Sequence, residues 1–178
     1  MRDSIMNKYL DDALLRLAAG DMGALSDVYD KLGRRIFMLA YAILRNRADA
    51  EDIMQETFLK IATQAHTYEK NSNAIAFILT VARNLSLNLL AKRRRSESRE
   101  KALDDNTDLP YGEQAMRVGE LDALSVLDTD ERQIVILRLD CKMKHRDIAA
   151  LFSISEAATQ KRYRRALEKL KKYYKETE

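Results

Sequence analysis

The sequence predicts an all-α fold: an N-terminal helical bundle and a C-terminal helix-turn-helix domain, joined by a flexible linker. Three observations carry this. The 178 residues include one proline and five glycines, so long segments contain no helix breaker. Apolar residues recur at helical spacing rather than in strand-like alternation. The periodicity lapses once, from Arg95 to about Gly112 around Pro110. This gives a first domain over 1–95, a linker over 96–112 and a second domain over 113–178.

Leu10 to Ala19 reads as a first helix stopped by Gly20. Asp21 is placed to cap a second helix running to about Leu32, with Gly33 as punctuation before an apolar helix from Arg34 to Arg45. Asn46 or Ala48 opens the next helix, which ends near Ala65. Its Ala50, Ile53, Met54, Thr57, Phe58 and Ile61 form an inward stripe. Asp52, Gln55 and Glu56, at i, i+3 and i+4, share a neighbouring polar face. A polar loop, His66 to Asn73, leads into a long helix from Ala74 to about Arg95, with Phe77, Ile78, Val81, Leu85, Leu89 and Leu90 on its apolar side. In the second domain, Asp128 and Glu131 have capping-box spacing ahead of the apolar run Ile134 to Leu139.

The closing pattern is a short helix from Asp147 to Phe152, a turn at Ser153-Ile154, and a helix from Ser155 to about Tyr173. Ser155 is a natural N-cap. Thr159, Tyr163, Ala166 and Leu170 repeat at i, i+4, i+7 and i+11 and define the buried side. The opposite side carries Glu156, Gln160, Lys161, Arg164 and Arg165. Gln suits an adenine edge and Arg or Lys a guanine edge, while further cations neutralise phosphates. Lys142, Lys144 and Arg146 flank the first helix, where phosphates would pass. A basic helix packed on a protein partner, or simply solvated, is the alternative.

Net charge is only +3, but it is unevenly spread. Lys161 to Lys175 holds eight Lys or Arg against one acid, and Lys92 to Lys101 holds six against two. Asp104, Asp105 and Asp108 lie between. Two basic patches separated by an acidic connector suit a polyanion bound at two places. The single cysteine, Cys141, excludes an internal disulfide and reads as a partly buried small residue in a reducing compartment. The N-terminus lacks a signal-peptide core and no apolar run approaches a membrane span, so a cytoplasmic protein without membrane insertion is expected. Two histidines, no metal-ligand spacing and no glycine-rich phosphate loop argue against an enzyme, a metal site or a cofactor.

Three segments, in order, resemble the bacterial RNA polymerase sigma factors of the extracytoplasmic-function group. They are DAEDIMQETF (Asp49 to Phe58), AFILTVARNLSLNLLAKRRR (Ala76 to Arg95), and LDTDERQIVILR followed by the helix-turn-helix. The resemblance covers about Leu14 to Arg95 and Leu121 to Lys172. It implies that Asp52, Gln55 and Glu56 dock on the polymerase core. It also implies that Tyr68, Lys70, Asn71, Arg83, Asn84, Lys92 and Arg93 face the opened minus-ten strand. Asn84 would lie near a flipped base, and Phe77 reads mainly as core. Gln160, Lys161, Arg164 and Arg165 would read the minus-thirty-five duplex. The acidic linker would thread a positively lined polymerase channel, a plain solvated linker being the alternative.

The implied partners are polymerase core, promoter DNA and an anti-sigma protein. Departures from the family pattern include Ile75 and Thr80 in place of basic residues, Ser153 for the turn glycine, and Lys144 for a Ser or Thr cap. Ala158, Thr159, Gln160 and Lys161 also depart, so the promoter sequence does not transfer. The competing reading is a free-standing helix-turn-helix regulator that binds duplex without polymerase.

Overall fold

The structure, a computed structural model, describes residues 2–97 and 123–177. The linker from 98 onward, the expected start of the second domain at 113, and Asp104, Asp105 and Asp108 lie outside the described residues. No strand occurs among the described ones. Four helices come first: α1 (Arg2–Ala18), α2 (Ala24–Leu44), α3 (Arg47–Gln64) and α4 (Ala74–Glu97). Three follow: α5 (Thr129–Val135), α6 (His145–Phe152) and α7 (Glu156–Thr177).

The first group is a bundle around α2, which lies against α1, α3 and α4. Leu10, Leu14, Leu32, Ile36, Leu39, Ile61, Ile78 and Leu79 are fully buried there. Each such side chain stabilises the fold by roughly 1.5–3 kcal/mol relative to exposure. Gly20 ends α1 in the left-handed region, φ 93°. Asp21 does not hold the N-cap position of α2, which Gly23 takes without a side-chain bond; its carboxylate accepts from the Gly23 N–H at 3.0 Å in the turn before the helix and pairs with Arg16.

Two more expectations need correcting here. α1 begins eight residues before Leu10, since no breaker stands between Arg2 and Leu10. Gly33 does not punctuate; α2 runs through it without interruption. One glycine costs a helix about 1 kcal/mol, too little to break a 21-residue element that buries Val28, Leu32, Ile36, Leu39 and Ile43 in the bundle. A Cβ built on Gly33 would meet the Tyr29 ring at 3.6 Å, an ordinary contact. Gly33→Ala is therefore expected to stabilise the protein by about 1 kcal/mol, read as a higher urea midpoint; a lower midpoint would show that the site cannot take a methyl.

α4 corrects another expectation, because its length and composition would suffice to cross a membrane. Its apolar side is instead core, with Ile78, Leu79 and Ala82 buried against the bundle. Ser86, also buried, returns its hydroxyl to the Ala82 carbonyl at 2.8 Å. Averaged over a window, such polar residues do not lower hydropathy enough to distinguish a bundle-core helix from a membrane helix.

α5 carries the expected capping box: Asp128 accepts from the Glu131 N–H at 2.8 Å, and Glu131 accepts from the Asp128 N–H at 3.1 Å. A wide π-type turn, Ile136–Asp140, then redirects the chain toward α6. Ser153 closes α6 in the left-handed conformation, φ 53°. That is the backbone glycine adopts freely and an L-residue does not. Ser155 caps α7, its hydroxyl accepting from the Ala158 N–H at 3.1 Å.

The buried residues of the two groups form one continuous cluster, since α5 and the π turn rest on α2. Arg132 fixes this contact. Its guanidinium donates to the Ala42 carbonyl at 2.8 Å, to the Leu127 carbonyl at 2.6 Å and to the Thr129 hydroxyl at 3.0 Å. Ala42 lies in the last turn of α2, where carbonyls have no intrahelical partner and a cation is favoured.

Candidate functional site

Asn46 sets the start of α3: its backbone is extended and its side chain accepts from the Asp49 N–H at 3.0 Å. With that phase fixed, Ala50, Ile53, Thr57, Phe58 and Ile61 turn inward. Thr57 satisfies its buried hydroxyl on the Ile53 carbonyl at 2.6 Å. Asp52, Gln55 and Glu56 are exposed together on the outer side. Leu59 joins them, 68% exposed, one turn beyond Gln55 and Glu56 on the same face. Sequence reasoning passed over it. Its signal is an apolar residue off the buried stripe, at i+7 from Asp52.

The second set of residues divides. Lys70, Asn71, Asn84 and Lys92 are exposed. Tyr68 is buried, with its hydroxyl donating to Asp11 at 2.7 Å and its ring edge-on to Phe77 at 5.3 Å. Burial pushes its hydroxyl up to about 12, so it stays a neutral donor. Asp11, 7% exposed, also accepts from the Asn71 N–H at 2.7 Å, and Asn71 adopts φ 62°. One carboxylate on α1 thus holds the loop in place. Arg93 is half-buried and paired with Asp49.

Arg83 is half-buried under the C-terminal group. Its Nε donates to Gln133 Oε1 at 2.8 Å and its guanidinium lies over the Phe152 ring, 4.3 Å from the centroid. Burial pulls its pKa down from the ordinary value while Asp130 opposes; an arginine remains charged regardless.

The third set is the outer face of α7. Thr159 and Ala166 are fully buried and Tyr163 and Leu170 half-buried, which turns Glu156, Gln160, Lys161, Arg164 and Arg165 to solvent. Lys142, Lys144 and Arg146 are exposed beside α6. The preceding short helix and tight turn leave α7 free along this basic side. His145 begins α6 and packs edge-on to Tyr163 at 5.3 Å, a structural placement. Cys141 is 1% exposed, more deeply buried than expected, and burial drives its thiol pKa upward.

Fold and site together define an all-helical class of protein among the described residues, with a basic helix-turn-helix and a separate exposed polar face on α3. Residues 28–96 match the family Sigma-70 region 2, and residues 120–170 match Sigma-70, region 4. The chain is 30% identical to RNA polymerase sigma factor CarQ of Myxococcus xanthus, over 92% of this chain and 96% of that protein. It is 26% identical to the ECF RNA polymerase sigma factor SigK of Mycobacterium bovis, over 90% and 91%. Its fold superposes on the sigma factor RpoE of Bartonella quintana, solved with the anti-sigma factor NepR, with TM-score 0.74, 22% identity and coverage of 84% and 96%. The protein belongs to the RNA polymerase sigma factors, in the extracytoplasmic-function group, and directs RNA polymerase to promoters.

Proposed function

We propose that residues 1–95 dock on polymerase core and hold the opened minus-ten strand, that 96–112 connect, and that 113–178 read the minus-thirty-five duplex. On this reading the protein works in the cytoplasm as a dissociable subunit without catalysis of its own. The carrying observation is the phase of α7, which buries Thr159 and Ala166 and leaves Gln160, Lys161, Arg164 and Arg165 on one exposed side. A recognition helix needs that arrangement to reach base edges while its domain rests on the backbone.

Asp52, Gln55 and Glu56 are the core-binding face in this scheme; no described residue ties them down. Lys70, Asn71, Asn84 and Lys92 are available to the melted strand as they stand. Arg83 and Arg93 join them once released from their present partners, and Tyr68 acts by fixing the loop that carries Lys70 and Asn71. Strand opening costs a few kcal/mol per unstacked step, offset by cationic and stacking contacts. An anti-sigma protein is the expected inhibitor, by analogy with the complex of the Bartonella protein.

Holoenzyme reconstituted with Arg165→Ala is expected to lose promoter affinity by roughly 1–3 kcal/mol, with relaxed specificity at one upstream base pair. Binding titrations on a set of single-base promoter variants measure this. A uniform loss across the set would make Arg165 a phosphate contact, and no loss would remove it from the interface.

A further inference from the structure

The loop between α3 and α4 is held by α1, a helix that ends before residue 28, where the match to Sigma-70 region 2 begins. Asn7 and Asp11 stand four residues apart on one side of α1, next to the buried Leu10 and Leu14. Asp11 Oδ1 accepts from both the Tyr68 hydroxyl and the Asn71 N–H, each at 2.7 Å. A carboxyl group only 7% exposed is costly to bury, and these two bonds from the loop offset that cost. Asn7 spans the junction of loop and helix. Its Nδ2 donates to the Ser72 carbonyl at 3.1 Å, and its Oδ1 accepts from the Ile75 N–H at 3.3 Å.

Between the two anchors the backbone holds an unusual shape. Asn71 has φ 62°, and the Ser72 N–H closes a turn on the Glu69 carbonyl at 3.1 Å. An L-residue enters the left-handed region at a cost, so an untethered loop would sample other conformations. Lys70 and Asn71 are exposed on this turn.

Resting on the reading of Lys70 and Asn71 as strand contacts, we infer that α1 determines base selectivity at the minus-ten element, with Asn7 and Asp11 as positioning residues that fix the loop in one strand-reading shape. A loop ordered before binding loses little conformational entropy when the correct strand arrives. It also resists adapting to a wrong base, and specificity is the difference between the two affinities. Freeing the loop weakens binding to the correct strand and eases binding to the wrong one, so selectivity falls from both ends. Asn7 adds a second constraint. By gripping the backbone on both sides of Asn73, it sets the loop in a fixed frame relative to α4, which carries Asn84.

The test uses holoenzyme reconstituted with the full chain, and a duplex promoter that wild-type holoenzyme selects from random-sequence DNA. A fluorescent adenine analogue in the opened region reports strand opening, on this promoter and on its single-base variants at the minus-ten and minus-thirty-five elements. Amide exchange of residues 68–73 in the free protein reports the anchoring itself. Asp11→Ala is expected to lower minus-ten discrimination roughly three- to tenfold and to speed exchange in the loop. Discrimination at minus-thirty-five and affinity for core should keep their wild-type values. Asn7→Ala, at a half-buried site, should act in the same direction with unchanged thermal stability, which keeps the test open if Asp11→Ala does not fold. Asp11→Asn retains an acceptor oxygen for both donors and should restore discrimination.

Minus-ten discrimination equal to wild type in the α1 variants would overturn the inference. So would unchanged loop exchange, or a loss shared equally by both elements, which is the mark of general damage. Lys70→Ala with Asn71→Gly, in which glycine keeps the positive φ, separates this inference from the reading beneath it. Discrimination lost in that variant but kept in the α1 variants removes only the role of α1. Discrimination kept in that variant takes the loop off the strand, and the inference falls with the strand-contact reading.

Discussion

Glu131→Ala is expected to destabilise the C-terminal helices by about 2–4 kcal/mol, a large part of what so small a unit has to lose. Glu131 is 6% exposed and does two jobs. Its carboxylate closes the capping box on Asp128 and receives Lys169 of α7 at 2.8 and 2.6 Å. Loss of the cap costs about 1 kcal/mol. Charge-assisted hydrogen bonds contribute about 1.5–3 kcal/mol, discounted here because the Lys169 side chain is 47% exposed and partly screened.

α5 has seven residues, well short of the length at which an isolated helix is stable in water. It persists only because its start is capped and its apolar side is packed. Glu131→Gln keeps an acceptor for the Asp128 N–H but loses the charge, so it should fall between wild type and alanine. Urea unfolding followed by amide exchange within Thr129–Thr177 resolves the three proteins. Alanine equal to wild type would show that the Lys169 contact and the box contribute nothing.

The same residues show what a sequence discloses. The capping box, the Ser155 cap and the buried stripe of α3 were legible, and the start of α3 was narrowed to Asn46 or Ala48, because each is decided within one or two helical turns. The continuity of α2 through Gly33 was not. A glycine's local cost is visible in sequence, and the tertiary packing that outweighs it is not. Exposure of Asp52, Gln55 and Glu56 followed from periodicity. The burial of Tyr68 by Asp11 and Phe77, the Arg93–Asp49 pair and the covering of Arg83 did not. Apart from Tyr68 on Phe77, which face each other across the loop between two helices, those contacts join residues more than forty positions apart, and no local pattern records them. The resemblance assigned these side chains a role in the polymerase complex, whereas the structure describes the chain alone. Both follow if the partners exchange when DNA arrives.

Asp52→Ala with Gln55→Ala is expected to weaken binding to polymerase core by about 2–4 kcal/mol, roughly thirty- to a thousandfold. The fold should be untouched. Both side chains are exposed and no described residue bonds to them, and alanine is the better helix former at solvent positions. Retained thermal stability with lost core binding is therefore the signature of an interface, as opposed to damage within α3.

Leu59 sharpens the test. An isolated leucine on a surface needs no explanation, but one 68% exposed beside Gln55 and Glu56 supplies the apolar centre that a polar rim would enclose. Leu59→Ala should add about 1 kcal/mol to the loss, and its effect should persist in high salt, where that of Asp52 fades by screening. Core binding unchanged in the double variant, under conditions where the wild type binds, would move the docking face off α3. A loss in Asp52 and Gln55 without one in Leu59 would make the contact electrostatic and confine it to the first three turns of the helix.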